Sequence, residues 1–237
     1  MKLFADLHIH SCLSPCGAED MTPNNIVNMA ALAGHNVIAI ADHNSTRNCA
    51  AAMAAGKNTG ILVVPAMELT TAEEVHTLVY LPDIDAADRL TEIVYDALPK
   101  RKNKPAIFGS QLVLDENDEL IEEDEHLLSA AANIGIYKIS AIAAELGGIA
   151  VPAHIDRASF SLLANLGFLD PAMGFKTFEV TGSCDLDALK QKRNLNGYGF
   201  ITGSDAHDLF AIPDAEFTLE VETVSAKGVI EALKKMK

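Results

Sequence analysis

Short apolar runs alternate along this chain with stretches of helical period. Lys2-Leu3-Phe4-Ala5 reads as a buried strand, and polar residues take over at Asp6-Leu7-His8-Ile9-His10. Thr22-Pro23 predicts a helix start, Thr as N-cap and Pro in the first turn. Ile26, Val27, Ala30 and Ala33 give that helix its apolar face, and Gly34 ends it. Val37–Ala41 reads as a second strand of parallel-sheet character, ending in Asp42-His43. An alanine-rich helix is predicted over Thr46–Ala55, ended by Gly56, and a third strand over Ile61–Met67, ended by Glu68. The next run, Val75–Leu81, follows too closely for a helical crossover, so these two strands pair antiparallel. That pairing predicts His76 beside Glu68.

The rhythm breaks over residues 83–146. Asp85–Leu98 has helical period, Ile107–Leu114 with Leu120-Ile121 predicts a hairpin or covering flap, and Leu127–Leu146 reads as helix interrupted near Asn133–Gly135. Eight carboxylates in eleven positions over Asp115–Glu125 read as a solvated face, since EF-hand spacing and its glycine are absent. The segment is expected to be an insert or lid within a single domain, 1–237. Alternation resumes with strands at Gly148–Ala153, Thr177–Val180, Gly199–Gly203 and Phe217–Val221, and helices at Phe160–Leu166, Asp185–Arg193 and Ser225–Met236. The class is α/β, with a barrel of parallel character.

Composition narrows the field. An apolar content of 49% without Trp predicts an aliphatic core. The apolar runs are too short to cross a bilayer and no secretory signal pattern opens the chain, so a cytoplasmic protein without a membrane partner is expected. A net charge of -15 argues against long nucleic acid as a partner and leaves room for a small phosphorylated substrate, because bound metal reverses the local field. In a cytosolic chain the four cysteines are not expected to form a disulfide framework, and Cys12 with Cys16 are too few for a structural zinc site. Oligomeric state is not legible.

Metal-competent residues recur where strands end: His8 and His10, Asp42 and His43, Glu68 with His76, His154, then Asp205 and His207. C-terminal strand ends of a parallel barrel share one face, where function resides. Six of the eight histidines lie at such places; His35 and His126 are expected to cap or to face solvent. So many ligands exceed what one ion needs. Nitrogen and oxygen donors suit zinc, manganese or iron, and two or three divalent ions suit phosphoester hydrolysis.

In order and type, these motifs resemble the polymerase-and-histidinol-phosphatase (PHP) family of metal-dependent phosphoesterases, over nearly the whole chain. The resemblance implies a distorted seven-stranded β/α barrel and a metal-bound hydroxide as nucleophile on a phosphomonoester, nucleotide or short oligonucleotide. It implies that His8, His10, Glu68 and Asp205 hold one metal, that Glu68 bridges to a second held by His76 and His154, and that His43 and His207 hold a third. Where some relatives complete the third site with histidine this chain has Cys16, a thiolate ligand favouring zinc or a loop cysteine; Cys12 is expected to pack. Glu68, Asp205 and His207 are the expected catalytic groups, with Arg157 clamping phosphate and Arg47 a weaker candidate. Asp6 and Asp42 are expected to orient imidazoles. Two alternatives are an amidohydrolase-type hydrolase, which would carry a bridging lysine where Glu68 stands, and a non-catalytic metal- or nucleotide-binding regulatory module, which would lack ligands.

Overall fold

The computed structural model describes Met1–Lys237. β1 (Lys2–Ile9), α1 (Pro23–Leu32), β2 (Val37–Ile40), α2 (Cys49–Thr59), β3 (Leu62–Thr70) and β4 (His76–Tyr80) open the chain. α3 (Ile84–Ala97), α4 (Pro105–Phe108), β5 (Leu112–Leu114), β6 (Leu120–Glu123) and α5 (Ile136–Glu145) follow. β7 (Ile149–Pro152), α6 (Leu162–Asn165), β8 (Thr177–Val180), α7 (Leu186–Arg193), β9 (Gly199–Thr202), β10 (Thr218–Glu220) and α8 (Ala226–Lys235) complete it.

Six strands form one sheet in the order β10-β1-β2-β3-β4-β7, while β8 and β9 pair parallel with each other. β1, β2 and β3 run parallel, and β4 is antiparallel to both β3 and β7. The antiparallel β3–β4 pair follows from the short link between them, and its register sets Thr70 opposite His76. A continuous seven-stranded sheet is not seen. The four-residue β8 and β9 meet the main sheet through a few hydrogen bonds at the functional end: the Ile155 amide donates to Glu179 O, the Asp205 amide to His8 O and the His10 amide to Ala206 O.

One face of the strands fills the interior of the curl with small aliphatics. Leu3, Ala5, Leu7, Val37, Ala39, Val64, Ala66, Leu78, Val151 and Ile201 pack there, and Val229, Ile230 and Leu233 of α8 join them. The Tyr80 hydroxyl crosses this interior to donate to Leu7 O at 3.0 Å. Ile9, Ile38 and Ile40 point the other way, onto α1 and α2. A cluster of 27 residues ties β3 and β4 to α3, α5 and the strand β8. No helix is long and apolar enough to cross a membrane.

Three helical expectations shift. α2 runs through Gly56 to end at Gly60, whose φ is +80°. Gly56 serves packing instead, because a Cβ there would lie 2.6 Å from Ile61 O. Within Leu127–Leu146 only α5 is helical, since Ala132 and Asn133 donate their amides to Thr70 O and Ala97 O. α6 begins at Leu162 under a Ser161 cap, and Phe160 stands outside it with φ +52°. The acidic run is not all solvated: Asp118 accepts from Thr22 and Asn24, and Asp124 is buried against Tyr95 and His126.

Candidate metal centre

A bulge sets up the site. Leu3, Ala5 and Leu7 alternate into the interior, but the β1–β2 register shifts between Asp6 and Ile9. Ile9 therefore points outward and His8 and His10 both turn inward, above the aliphatic interior. Bulges re-aim side chains in this way beside functional sites.

Neighbouring groups fix the proton positions on both rings. His8 Nδ1 lies 3.0 Å from both carboxylate oxygens of Glu179, so Nδ1–H donates and Nε2 faces the centre. His10 Nδ1 lies 2.8 Å from Ser14 Oγ, whose own proton goes to Asp42 Oδ1 at 2.7 Å. Ser14 must then accept from His10 Nδ1–H, which leaves His10 Nε2 bare as well. The two bare nitrogens stand 3.1 Å apart. Lone pairs do not face one another at that distance unless a proton or a cation lies between them.

Glu68 of β3 is the hub. Its Oε1 lies 3.4 Å from His8 Nε2, 3.0 Å from His76 Nδ1 and 3.1 Å from His154 Nε2. Its Oε2 lies 3.4 Å from His10 Nε2 and 2.9 Å from His43 Nδ1. Asp205 Oδ1 lies 3.3 Å from His8 Nε2 and 3.1 Å from His10 Nε2. Three sets each keep their donor atoms within 4.8 Å of one another: His8, His10, Glu68 and Asp205; His43, Glu68 and His76; and His10, His43 and His207. Glu68 Oε2 and His43 Nδ1, though 2.9 Å apart, are both buried without a hydrogen-bond partner, as is His154 Nδ1. Buried polar atoms are rarely orphaned. Imidazole and carboxylate donors converging with lone pairs inward fit divalent transition ions.

The electrostatics carry the same demand. Burial opposes charge on His8, yet Glu179, Glu68 and Asp205 outweigh it and hold its pKa well above the ordinary value. Burial likewise opposes charge on His43, and Glu68 raises it to about 9. Burial wins at His76, which is lowered. Burial would raise Glu68, but His76, His8 and His43 hold it well below the usual carboxylate range; Asp205 is lowered against its burial by His8 and His10. Positive charge is drawn to the centre of this cluster.

A cavity of about 130 Å³ opens onto these groups, lined by His43, Glu68, His76, His154, Asp205 and His207, with Arg157, Ser159 and Phe160 at its side. The Arg157 guanidinium donates to Asp205 Oδ2, while Asp156 instead accepts from Thr181. His207 Nδ1–H donates to Asp205 O at 2.7 Å, turning Nε2 away from that carbonyl. His154 and Asp205 have φ of +31° and +53°. Such backbone is disfavoured for any residue with a Cβ and concentrates at functional sites.

The remaining candidates fall elsewhere or act differently. Cys16 is exposed and outside the three donor sets, though its side chain lies beside the His43 ring. Cys12 is buried, its pKa pushed up to about 12 by burial and by Asp42. Arg47 pairs with Glu122 and lies 3.7 Å from Asp124, away from the cavity. Asp42 reaches His10 only through Ser14, and Asp6 bonds the amides of His8 and Ser204, orienting backbone and no imidazole. His35 does not face solvent; it is buried and lies 2.9 Å from Pro213 O. Glu179 escaped the sequence reading. It sits inside β8, and besides His8 it accepts from the His154 amide at 2.9 Å. A carboxylate between Phe178 and Val180 in a buried strand was its one signal.

No protein-family profile matches the chain. No curated protein matches it either. Solved structures do. The lesion-specific Endonuclease Q of Pyrococcus furiosus superposes with a TM-score of 0.73 at 21% identity, over 99% of this chain and 56% of the endonuclease. An Endonuclease Q complex with a 27-mer duplex substrate, an abasic lesion at its active site, gives 0.73 at 20% over 99% and 57%. A candidate metal-dependent phosphoesterase from Bifidobacterium adolescentis gives 0.60 at 17% over 98% and 94%. An amidohydrolase from Chromobacterium violaceum with bound sulfate gives 0.61 at 20% over 92% and 91%. This chain spans little more than half the length of the endonuclease it matches. The complex overturns the expectation of a small phosphorylated substrate and no long nucleic acid. That expectation rested on the net charge, which sums the whole surface, whereas a strand is met locally. With the ordered motifs from His8 to His207, these likenesses give the chain the PHP-type metal-dependent phosphoesterase fold.

Proposed function

We propose that this protein is a metal-dependent phosphoesterase that hydrolyses a phosphodiester bond of a nucleic-acid strand. The observation that carries the reading is Glu68, a buried carboxylate with both oxygens turned to different histidine sets and one of them without a hydrogen-bond partner. His8, His10, Glu68 and Asp205 would hold one ion, Glu68, His76 and His154 a second, and His43 and His207 a third with Cys16 as its nearest thiol. The likeness to Endonuclease Q supports the strand as substrate.

Zinc, manganese or iron bound here would supply an activated water and offset phosphate charge. The chain does the rest. Glu179 and Ser14 keep protons on the outer nitrogens of His8 and His10 and so keep the inner ones bare. Glu68 spans two donor sets and fixes the spacing between them. Arg157, on the side of the cavity, reaches the non-bridging phosphate oxygens with its planar fork and leaves Asp205 free to turn inward. His207, its Nδ1–H held by Asp205 O, turns the bare Nε2 toward the third donor set. The seven-stranded barrel is read as β1, β2, β3, β4 and β7 closed by β8 and β9, with β10 at the edge and residues 83–146 as an insert beside it.

The test is an assay on duplex oligonucleotides bearing an abasic site, with enzyme reconstituted separately with Zn²⁺, Mn²⁺ and Mg²⁺. Wild type is expected to cut the strand with Zn²⁺ or Mn²⁺. Glu68→Gln keeps the shape and loses the charge, and is expected to fall at least about a hundredfold, about 2.7 kcal/mol of barrier. Near-normal turnover by folded, metal-loaded Glu68→Gln would count against the bridging role. No cleavage of any oligonucleotide by loaded wild type would refute the substrate.

A further inference from the structure

Phe160 holds an unusual backbone conformation for a large apolar residue. Its φ of +52° is one that residues with a Cβ seldom adopt. Its side chain is 47% exposed, although the ring is large and apolar. The pose is nevertheless determined from several sides. The Phe160 carbonyl accepts from the His76 amide at 2.9 Å. Its ring lies flat on the His76 imidazole, centroids 4.8 Å apart and planes at 23°. The next residue, Ser161, caps α6 and donates its hydroxyl to Arg157 O at 2.7 Å. One short loop thus holds an arginine and an aromatic ring on the same side of the cavity. One face of the ring is occupied by His76, and about half of the residue's surface meets solvent.

An aromatic ring held flat beside a phosphate-binding arginine is what a nucleobase needs. Bases stack on aromatic side chains with little regard for sequence, because every base has a π-face. A phenyl ring adds no hydrogen-bonding group that would select one base. From this geometry we infer that Phe160 is the platform on which the nucleobase beside the scissile phosphodiester stacks. Arg157 holds the phosphate while Phe160 holds the neighbouring base, and together they set the strand's register over Glu68. The inference rests on the nucleic-acid reading above and adds the group that grips the base.

The experiment compares wild type with Phe160→Ala, Phe160→Leu and Phe160→Trp, each loaded to the same metal stoichiometry. The substrates are one labelled oligonucleotide with its bases intact and a second lacking the bases on both sides of the cleavage position. On the intact strand Phe160→Ala and Phe160→Leu are expected to lose about tenfold in kcat/KM, mainly through KM, the scale of one lost base–aromatic stack. On the base-free strand the loss shrinks to about twofold or less, since no stack remains to lose. Phe160→Trp, which keeps a flat face, restores the intact-strand rate, whereas leucine keeps bulk alone and does not. Equal losses on the two strands, or a leucine variant that matches wild type, overturn the platform and leave the nuclease reading standing. Failure of wild type to cut either strand overturns the platform, and failure on the abasic-site duplex as well overturns both.

Discussion

At the scale of single residues, the site is organised by where protons sit. His8 and His10 can offer lone pairs inward only because Glu179 and Ser14 hold the protons outward. Glu179→Gln preserves the side-chain shape but can present its amide hydrogens to His8 Nδ1, which favours the opposite tautomer. Metal affinity at the His8–His10–Asp205 position is expected to fall about 10- to 100-fold, the usual effect of losing an outer partner of a metal-bound imidazole. Competition titration with a chromophoric chelator measures this, and unchanged affinity would make Glu179 a structural carboxylate. The clustering of the histidines was legible because histidine is uncommon and recurs after apolar runs at His8, His43, His154 and His207. Glu179 was not, because it lies within a strand and not after one, and glutamate is common. Asp124 was masked differently: one buried carboxylate in a run of eight looks like its solvated neighbours.

At the scale of elements, the insert is docked by its backbone onto the loop that carries Ser14. The Leu112 amide donates to Cys12 O at 3.0 Å. The buried Asn48 side chain donates to Leu112 O and accepts from the Leu114 amide, both at 3.0 Å, pairing β5 as a neighbouring strand would. Gly109 permits the approach: its φ is +100°, and a Cβ there would fall 1.9 Å from Pro15 O. Gly109→Ala is expected to cost about 2 kcal/mol through backbone strain and clash. Urea unfolding measures the loss, and hydrogen exchange should loosen most over residues 110–123. A variant as stable as wild type with unchanged exchange would show that the contact is dispensable. The hairpin itself was legible, with apolar runs either side of a polar turn. The extent of α5 was not, because Leu127–Ala132 has helical composition and is drawn into turns by hydrogen bonds with Asn44 and Thr70, remote in sequence. Nor was the bulge in β1 legible, since no residue type announces it.

For the whole molecule, the charge of -15 was read correctly and given too wide a meaning. It repels a phosphate backbone at long range, and around the cavity only Arg157 offers a permanent positive side chain. Duplex-binding proteins that neutralise many phosphates lose about 10³ or more in affinity between 50 and 200 mM salt. One arginine predicts much less, and screening of the acidic surface works the other way. Cleavage of an oligonucleotide is expected to lose less than about tenfold in kcat/KM over that salt range. A steep, thousandfold fall would reveal an extended basic contact and would contradict this picture. The α/β class and the antiparallel β3–β4 pair were readable from run lengths, whereas the split into a six-stranded sheet and a separate pair depends on hydrogen bonds that sequence does not display.

The way β5 is seated has a consequence for how such a protein changes over time. Asn48 and Cys12 recognise the hairpin by its main chain, and the outward side chains of β6 are all exposed. The socket is strict about the hairpin's backbone and about its inward side chains, Gln111, Val113 and Leu114, and leaves the β6 surface free. Exchange is therefore expected to be tolerated at Leu120, Ile121 and Glu123, while Gln111, Val113 and Leu114 below them, with Asn48 and Gly109, are held in place. Variation on the exposed face of β6 is then decoupled from the histidine cluster around Glu68.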